Sequence, residues 1–361
     1  MSGEFHRAPH AMLPPPRNPP WRAELVDPPV DGRWEAFVAA SPGATVFHHR
    51  AWLSLLQRTY GCPITACCLV DASSKIRAGV PFALVRRGRR PARLTCLPLA
   101  ASCSTLPSPD DDGELAGELT SAVDDLRRSL RAPVELRGPV GPHPSAWVSA
   151  RYHAHRIALE PDADRVMLRC RRRAEILRGA QRSREEGILA ERRTDTRALA
   201  DFYRVYVAER RRRGAPSLPR RFVLGLAHMF DHGLGFVLLV RAGEQTVAGA
   251  VLLSFNGALV YQLGAWAPGA TSAVMDLVLL EAVRWGCDAG MHTFDLGRTD
   301  LADTHLRDFN RAWGAKESVL AYHELRDEPP ARKRAGGFWT GPLIRHSPSV
   351  VGRMLGEALC R

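Results

Sequence analysis

LVYQLGAWAPGATSAVMDLVLLEAVRWGCDAGMHTFDLGRTD, Leu259–Asp300, decides the fold. Its opening run, Leu259–Trp266, has strand length and is rich in strand-favouring side chains. Pro268-Gly269 breaks the run, and Ser272 can cap a helix. Val274, Leu277, Val278, Glu281, Ala282 and Trp285 then fall on one side at helical spacing, and Gly290 ends the pattern. A short strand, Thr293–Leu296, carries Asp295, Gly297 and Arg298 to its carboxyl end. In such a strand–loop–helix–strand unit the loop points free backbone N–H groups at an anion beside the strand end.

Two motifs carry a resemblance. FDLGRTD (Phe294–Asp300), then an FxxxWGA segment (Phe309–Ala315) and a strand ending in Tyr322, resemble the Fem-type (FemAB-like) branch of the GNAT acyltransferase superfamily. Its members are relatives of the aminoacyltransferases that build peptidoglycan interpeptide bridges. The resemblance covers residues 160 to 325 well and the first half more loosely. It implies an α/β fold of two tandem GNAT-like units, each a mixed, mostly antiparallel sheet flanked by helices.

Outward from this stretch, the strands Phe236–Val240 and Val247–Phe255 precede it, and Asn256-Gly257 is a hairpin signal leading into Leu259. Before them lie three expected helices. One runs from Asp162 or Asp164 to Gly187, one from about Arg197 to Arg213, and one begins at Pro219. The first half has a similar order. Short helices at 34–40 and 49–60 lead to strands Ile64–Val70, Gly79–Val85 and Leu94–Leu99, a helix Gly113–Leu130, and strands Val134–Leu136 and His155–Leu159. The expected organisation is a disordered Pro-rich segment (1–22), an N-terminal GNAT-like domain (23–160), a C-terminal acyltransferase domain (161–325), and a basic linker with an amphipathic tail (326–361).

The 361 residues carry a formal net charge of +12, unevenly spread. Arg165 to Arg221 holds 18 arginines and no lysine against seven acidic residues, a local balance of +11. Such a surface favours a polyanion: a nucleotide, a tRNA acceptor arm or an anionic membrane. A solvated arginine-rich helix face is the plain alternative for any single residue. The eight cysteines show no ligand spacing, and Cys67-Cys68 share one strand with opposite facing, so core thiols in a reducing cytoplasm are expected. No apolar run is long enough for a bilayer span, and the first residues do not read as a secretory signal. The 338–361 tail, with apolar residues among Arg345, Arg353 and Arg361, can lie on an anionic membrane or dock on its own protein.

GNAT-like catalysis holds an acyl donor and an amine in line and polarises the donor carbonyl with a backbone N–H between two parted strands. The resemblance places the donor at Gly264, Ala265 and Trp266, with Gly269 and Ser272 in the following loop. That loop has one glycine, and Pro268 removes a donor, so it departs from the glycine-rich pyrophosphate cradle of coenzyme A users. No bound cofactor is expected; the co-substrate is aminoacyl-tRNA or acyl-CoA, with the charge and the poor cradle favouring the former. Arg171, Arg178 and Arg182 are expected on one helix face, and they and Lys316 are the phosphate or substrate ligands. Asp295 can orient or deprotonate an incoming amine, and Arg298 can bind a carboxylate or phosphate; alternatively the two fix the turn at Gly297. The Fem-type pattern commonly has a lysine after the motif's Phe, where this chain has Asn310. An amide there can donate to a developing oxyanion without positive charge, with Arg311 or Lys316 as substitutes.

The expected activity is N-acyl transfer to an amine of a cell-envelope, polysaccharide or small-molecule acceptor, in the cytoplasm or at the inner membrane face. The rival is a non-catalytic nucleic-acid binder using the Arg165–Arg221 surface. It lacks the interleaved aromatics of a single-strand-binding face.

Overall fold

Asn256 and Gly257 both take left-handed backbone conformations, as a tight two-residue hairpin requires, and Phe255 pairs directly with Ala258 across them. The turn joins β10 (Gln245–Phe255) to β11 (Ala258–Trp266), with β9 (Gly235–Ala242) antiparallel on the far side of β10. The helix α9 (Ala273–Asp288) then crosses to β12 (Thr293–Asp300), parallel to β11. The computed structural model describes residues 21–85, 93–108, 114–270 and 273–329. Ser272, residues 1–20 and the 338–361 tail lie outside them.

Alternation along these strands explains both layers. Val237, Leu239, Val251 and Leu253 face a core shared with α6 (Thr196–Arg212), α7 (Arg220–Gly225) and the N-terminal half. Phe236, Leu238, Ala250 and Leu252 face α9 and α5 (Arg173–Glu185). In the first half, α1 (Gly32–Ala40), α2 (Arg50–Tyr60) and α3 (Glu114–Leu130) cover β2 (Ile64–Asp71) and β3 (Ile76–Val85). Trp52 of α2 meets Phe222 of α7 edge-on, with ring centroids 5.9 Å apart, so the halves share an aromatic seam.

All strands of the described residues belong to one mixed, mostly antiparallel sheet, flanked by helices in both halves of the chain. Its order runs across residue 160: β1 (Trp21–Val26), β2, β3, β4 (Arg93–Thr95), β6 (Val134–Arg137), β13 (Lys316–Leu325), β7 (Ala146–Ala158), β12, β11, β10, β9 and β8 (Ile188–Arg193), with the two-residue β5 (Leu106–Pro107) beside β3. The last strand is therefore inserted between two strands of the first half, zipping the units together.

Several elements differ from the sequence expectation. The strand expected at His155–Leu159 is the end of the long β7, and Leu94–Leu99 shortens to β4 because Leu97 and Leu99 take positive φ. The helix expected from residue 162 to 187 is two: α4 (Ala163–Leu168), capped by Asp162, and α5. Arg171 lies in the break, its N–H donating to the Ala312 carbonyl, so it shares no helix face with Arg178 and Arg182. The helix from Pro219 likewise divides into α7 and α8 (Ala227–Asp231). Trp21 and Arg22, expected in the disordered segment, begin β1.

Candidate active site

β11 and β12 pair over only three residues, Ala258↔Thr293, Leu259↔Phe294 and Val260↔Asp295, and then part. Irregularities in both strands sit at the parting. Gln262 is the extra residue of a bulge against β10, between the Leu263↔Val251 and Tyr261↔Leu252 pairs. Leu296 and Gly297 together stand opposite the single His155 of β7, a bulge of one extra residue between Asp295↔Arg156 and Arg298↔Ala154. Gly297 has φ +82°, and Asp295 Oδ1 accepts its N–H at 2.7 Å. The sequence D-L-G thus bends β12 away from its neighbour: the glycine permits the left-handed turn and the carboxylate holds it.

The gap opens into a cleft of about 430 Å³. Its apolar wall comes from Tyr261 and Trp266 of β11, Met275 and Leu279 of α9, Leu296 of β12 and Phe309 of α10 (Thr304–Ala312). The end of α6 supplies Tyr206, Glu209, Arg210 and Arg213. Glu209 is almost wholly buried and accepts from Arg213 Nε at 2.5 Å and from Arg212. Both guanidiniums lie over Trp266, at 5.0 Å (Arg212) and 5.1 Å (Arg213) from its ring centroid. Burial pushes the Tyr261 phenol well above its ordinary range, so it is a neutral hydroxyl.

The expected donor residues Gly264 and Trp266 line this cleft; Ala265 faces the core, and Gly269 stands in the loop toward α9. Asn310 lines the cleft and is 3% exposed. Asp295 does not line it: besides Gly297 it holds Arg156 at 3.0 Å. Arg298 points to the other side of the sheet, over Tyr152 at 4.3 Å from the ring centroid, with Nη1 donating to Tyr322 Oη at 2.7 Å. The expected Asp295–Arg298 pair is thus replaced by separate partners. Arg171 and Arg311 line a different groove, of about 460 Å³, beyond α10. Lys316 is exposed on β13, and Arg178 and Arg182 are exposed on α5; none of the three lines the cleft.

Residues that the sequence did not single out complete the site. Asp276, in the first turn of α9, is buried, with Arg172 Nη2 at 2.9 Å and Trp313 Nε1 at 3.3 Å. Burial raises its carboxyl pKa, opposed by Arg172. A carboxylate already complements the helix end where a phosphate would otherwise sit. The WGA motif serves this junction: Trp313 reaches Asp276, and a Cβ on Gly314 (φ +79°) would stand 2.8 Å from the Arg169 carbonyl. Behind Asn310 lie Thr299, His155 and Glu317, in hydrogen-bond sequence. The two histidines at alternate positions of one strand, H-x-H at 153 and 155, were the available signal for this cluster.

Residues 170–312 match the model of the family described as an acetyltransferase (GNAT) domain. The fold is similar to that of FemX (TM-score 0.62, 12% identity, over 80% of this chain and 95% of that one). It is similar also to the C-terminal domain of a putative lysylphosphatidylglycerol synthetase from Agrobacterium fabrum (TM-score 0.53, 12% identity, over 82% and 91%). A tandem GNAT protein from the clavulanic acid biosynthesis pathway aligns at TM-score 0.50 and 12% identity, over 86% of this chain and all of that one. No curated protein matches by sequence.

Proposed function

Because residues 170–312 form a GNAT domain of acyltransferase type within a tandem, Fem-like fold, we propose that this protein transfers an aminoacyl group from aminoacyl-tRNA to an amine. The parting of β11 from β12 carries the reading: it leaves strand backbone beside a largely apolar cleft, where an activated carbonyl can be held and polarised. The acceptor nitrogen attacks that carbonyl. A C–N bond forms, the ester C–O bond to the terminal ribose breaks, and the ribose hydroxyl leaves with the proton given up by the amine. Positioning supplies most of the rate gain, since the cleft excludes water on its apolar sides.

Two observations favour tRNA over coenzyme A. Asp276 sets a carboxylate in the first turn of α9, which disfavours a pyrophosphate there. The arginines of α5 and of the α6 end offer exposed positive charge for a longer polyanion. FemX and the lysylphosphatidylglycerol synthetase domain make an envelope precursor the acceptor class to try first, at the cytoplasmic side of the membrane. Among the described residues no helix is long and apolar enough to cross a membrane. The test supplies radiolabelled aminoacyl-tRNAs and, separately, acyl-CoAs together with cell extract. Label moving to an acceptor from the tRNA pool alone supports the proposal. Transfer from the CoA pool alone replaces the donor, and transfer from neither removes the enzymatic reading.

A further inference from the structure

The side chain of Asn310 is held from behind by a chain of hydrogen bonds whose direction is fixed at the far end. Glu317 anchors it. Its carboxylate accepts from Arg307 Nε and Nη2, both at 2.7 Å, and from Arg311 at 3.0 Å. Arg307 is the main cause holding its pKa down to about 2, so Glu317 is an acceptor at any working pH. His155 Nε2 lies 3.3 Å from Glu317 Oε2. His155 is fully buried, and desolvation lowers its pKa against the opposing pull of Glu317, with His153 and Arg311 also disfavouring the cation. A neutral imidazole has one donor and one acceptor. Facing a carboxylate, the donor is Nε2–H, which leaves Nδ1 as the acceptor. Thr299 Oγ1, 3.3 Å from Nδ1, must therefore donate to it and keep its lone pairs for Asn310 Nδ2, 3.4 Å away. Among the described residues no donor is recorded for Asn310 Oδ1.

We infer that Asn310 turns its amide oxygen, not its NH2, to the cleft, and that Glu317, His155 and Thr299 position it there to receive an N–H of an amine-bearing substrate. The inference rests on the acyl-transfer reading for the identity of that substrate, whereas its polarity argument needs only the hydrogen-bond geometry and a neutral His155. It reverses the expectation that this amide donates to an oxyanion. A lysine at this position would present a donor; this chain presents an acceptor. The amide carries no proton onward, so the chain orients an amine rather than deprotonating it. Either the α-amine of an aminoacyl donor or the acceptor's own amine fits this chemistry.

The tautomer of His155 is the direct test, read by NMR on full-length protein carrying 13C,15N-histidine, with His155→Gln to identify the resonance. Nε2–H supports the inference, and Nδ1–H overturns it whatever the protein's activity. With a donor found as above, Thr299→Val should lower kcat/KM about tenfold, the size of one lost hydrogen bond to a substrate-orienting group, and Thr299→Ser should restore it. Asn310→Asp, which keeps an oxygen toward the cleft, should stay within about tenfold of wild type, and Asn310→Lys should be far weaker. A fully active Asn310→Lys beside an inactive, folded Asn310→Asp would overturn the inference. Dependence on Asn310 that vanishes with an N-acetylated aminoacyl donor assigns the amine to the donor; dependence that persists assigns it to the acceptor. If wild type transfers nothing, the substrate assignment falls while the tautomer still decides the polarity.

Discussion

Among the described residues, each half of the molecule contains one pair of parallel strands flanking a helix, and the two pairs end differently. In the C-terminal half, β11 and β12 part after Val260 and Asp295 and the space between them is an open cleft. In the N-terminal half, β4 and β6 pair at Leu94↔Val134 and Thr95↔Glu135, and the chain then folds back beside β6. Leu97 and Leu99 turn through positive φ, Arg137 Nη1 donates to the Leu97 and Ala100 carbonyls at 2.9 and 3.0 Å, and the Cys103 N–H bonds the Arg137 carbonyl. One unit leaves backbone available to a substrate, and the other satisfies it with its own loop. Under the proposed acyl transfer, the C-terminal half keeps its gap for chemistry while the N-terminal half closes its own and serves as a scaffold. The N-terminal half also borders the cleft, where Gln262 Nε2 donates to the Leu99 carbonyl.

The strongest way to break the contrast is Gly297→Val. A β-branched residue at φ +82° costs on the order of 1–2 kcal/mol in backbone strain. Relief of that strain would straighten β12 and close the gap. We expect a loss of at least ~100-fold in transfer, with the protein still folded by circular dichroism. Arg137→Met attacks the other gap, removing a charged donor shared by two carbonyls and Glu135. It should lower urea-unfolding stability by about 3 kcal/mol and affect transfer less than Gly297→Val does.

Acid probes the first half by a third route, through His48. His48, in the first half, is wholly buried between Thr45 and the Ser104 carbonyl, and burial pushes its pKa down to about 4. Its folded pKa lies below the unfolded one, so the unfolded chain binds more protons between about pH 6.5 and 4. Stability is therefore fully present above about pH 6.5 and falls as pH drops toward 4, by roughly 3 kcal/mol from this group. Denaturation measured at pH 7 and pH 4.5 should show the loss, and His48→Gln should flatten it. The smallest effect is expected from the outer arginines. Arg178→Ala with Arg182→Ala should leave turnover at saturating donor unchanged, and should reduce the salt dependence of donor affinity by about two log units per log unit of salt.

The working half was the more legible in sequence, because its features are local. The Asn256-Gly257 turn, the β11–α9–β12 order and the D-L-G bend each lie within a few residues of one another. Long-range assembly left no such signal. Nothing between Lys316 and Leu325 announces that this strand pairs with β6, some 180 residues earlier. β7 lacks clean alternation because much of both faces is only partly buried, so only its apolar end was readable. The arginine count of residues 165–221 was plain, but not its division: α6 brings Arg210 and Arg213 to the cleft, while the α4–α5 break carries Arg171 elsewhere. The chain from Glu317 to Asn310 joins three strands and a helix, a contact set that only the folded sheet creates.

A structure of the full chain with an amide-linked, non-transferable aminoacyl-adenosine tests the central claim most directly. The aminoacyl carbonyl is expected between β11 and β12, beyond Val260 and beside Leu296. Density for the analogue in the groove beyond α10, or beside β4 and β6, with β11 and β12 closed on each other, would contradict it.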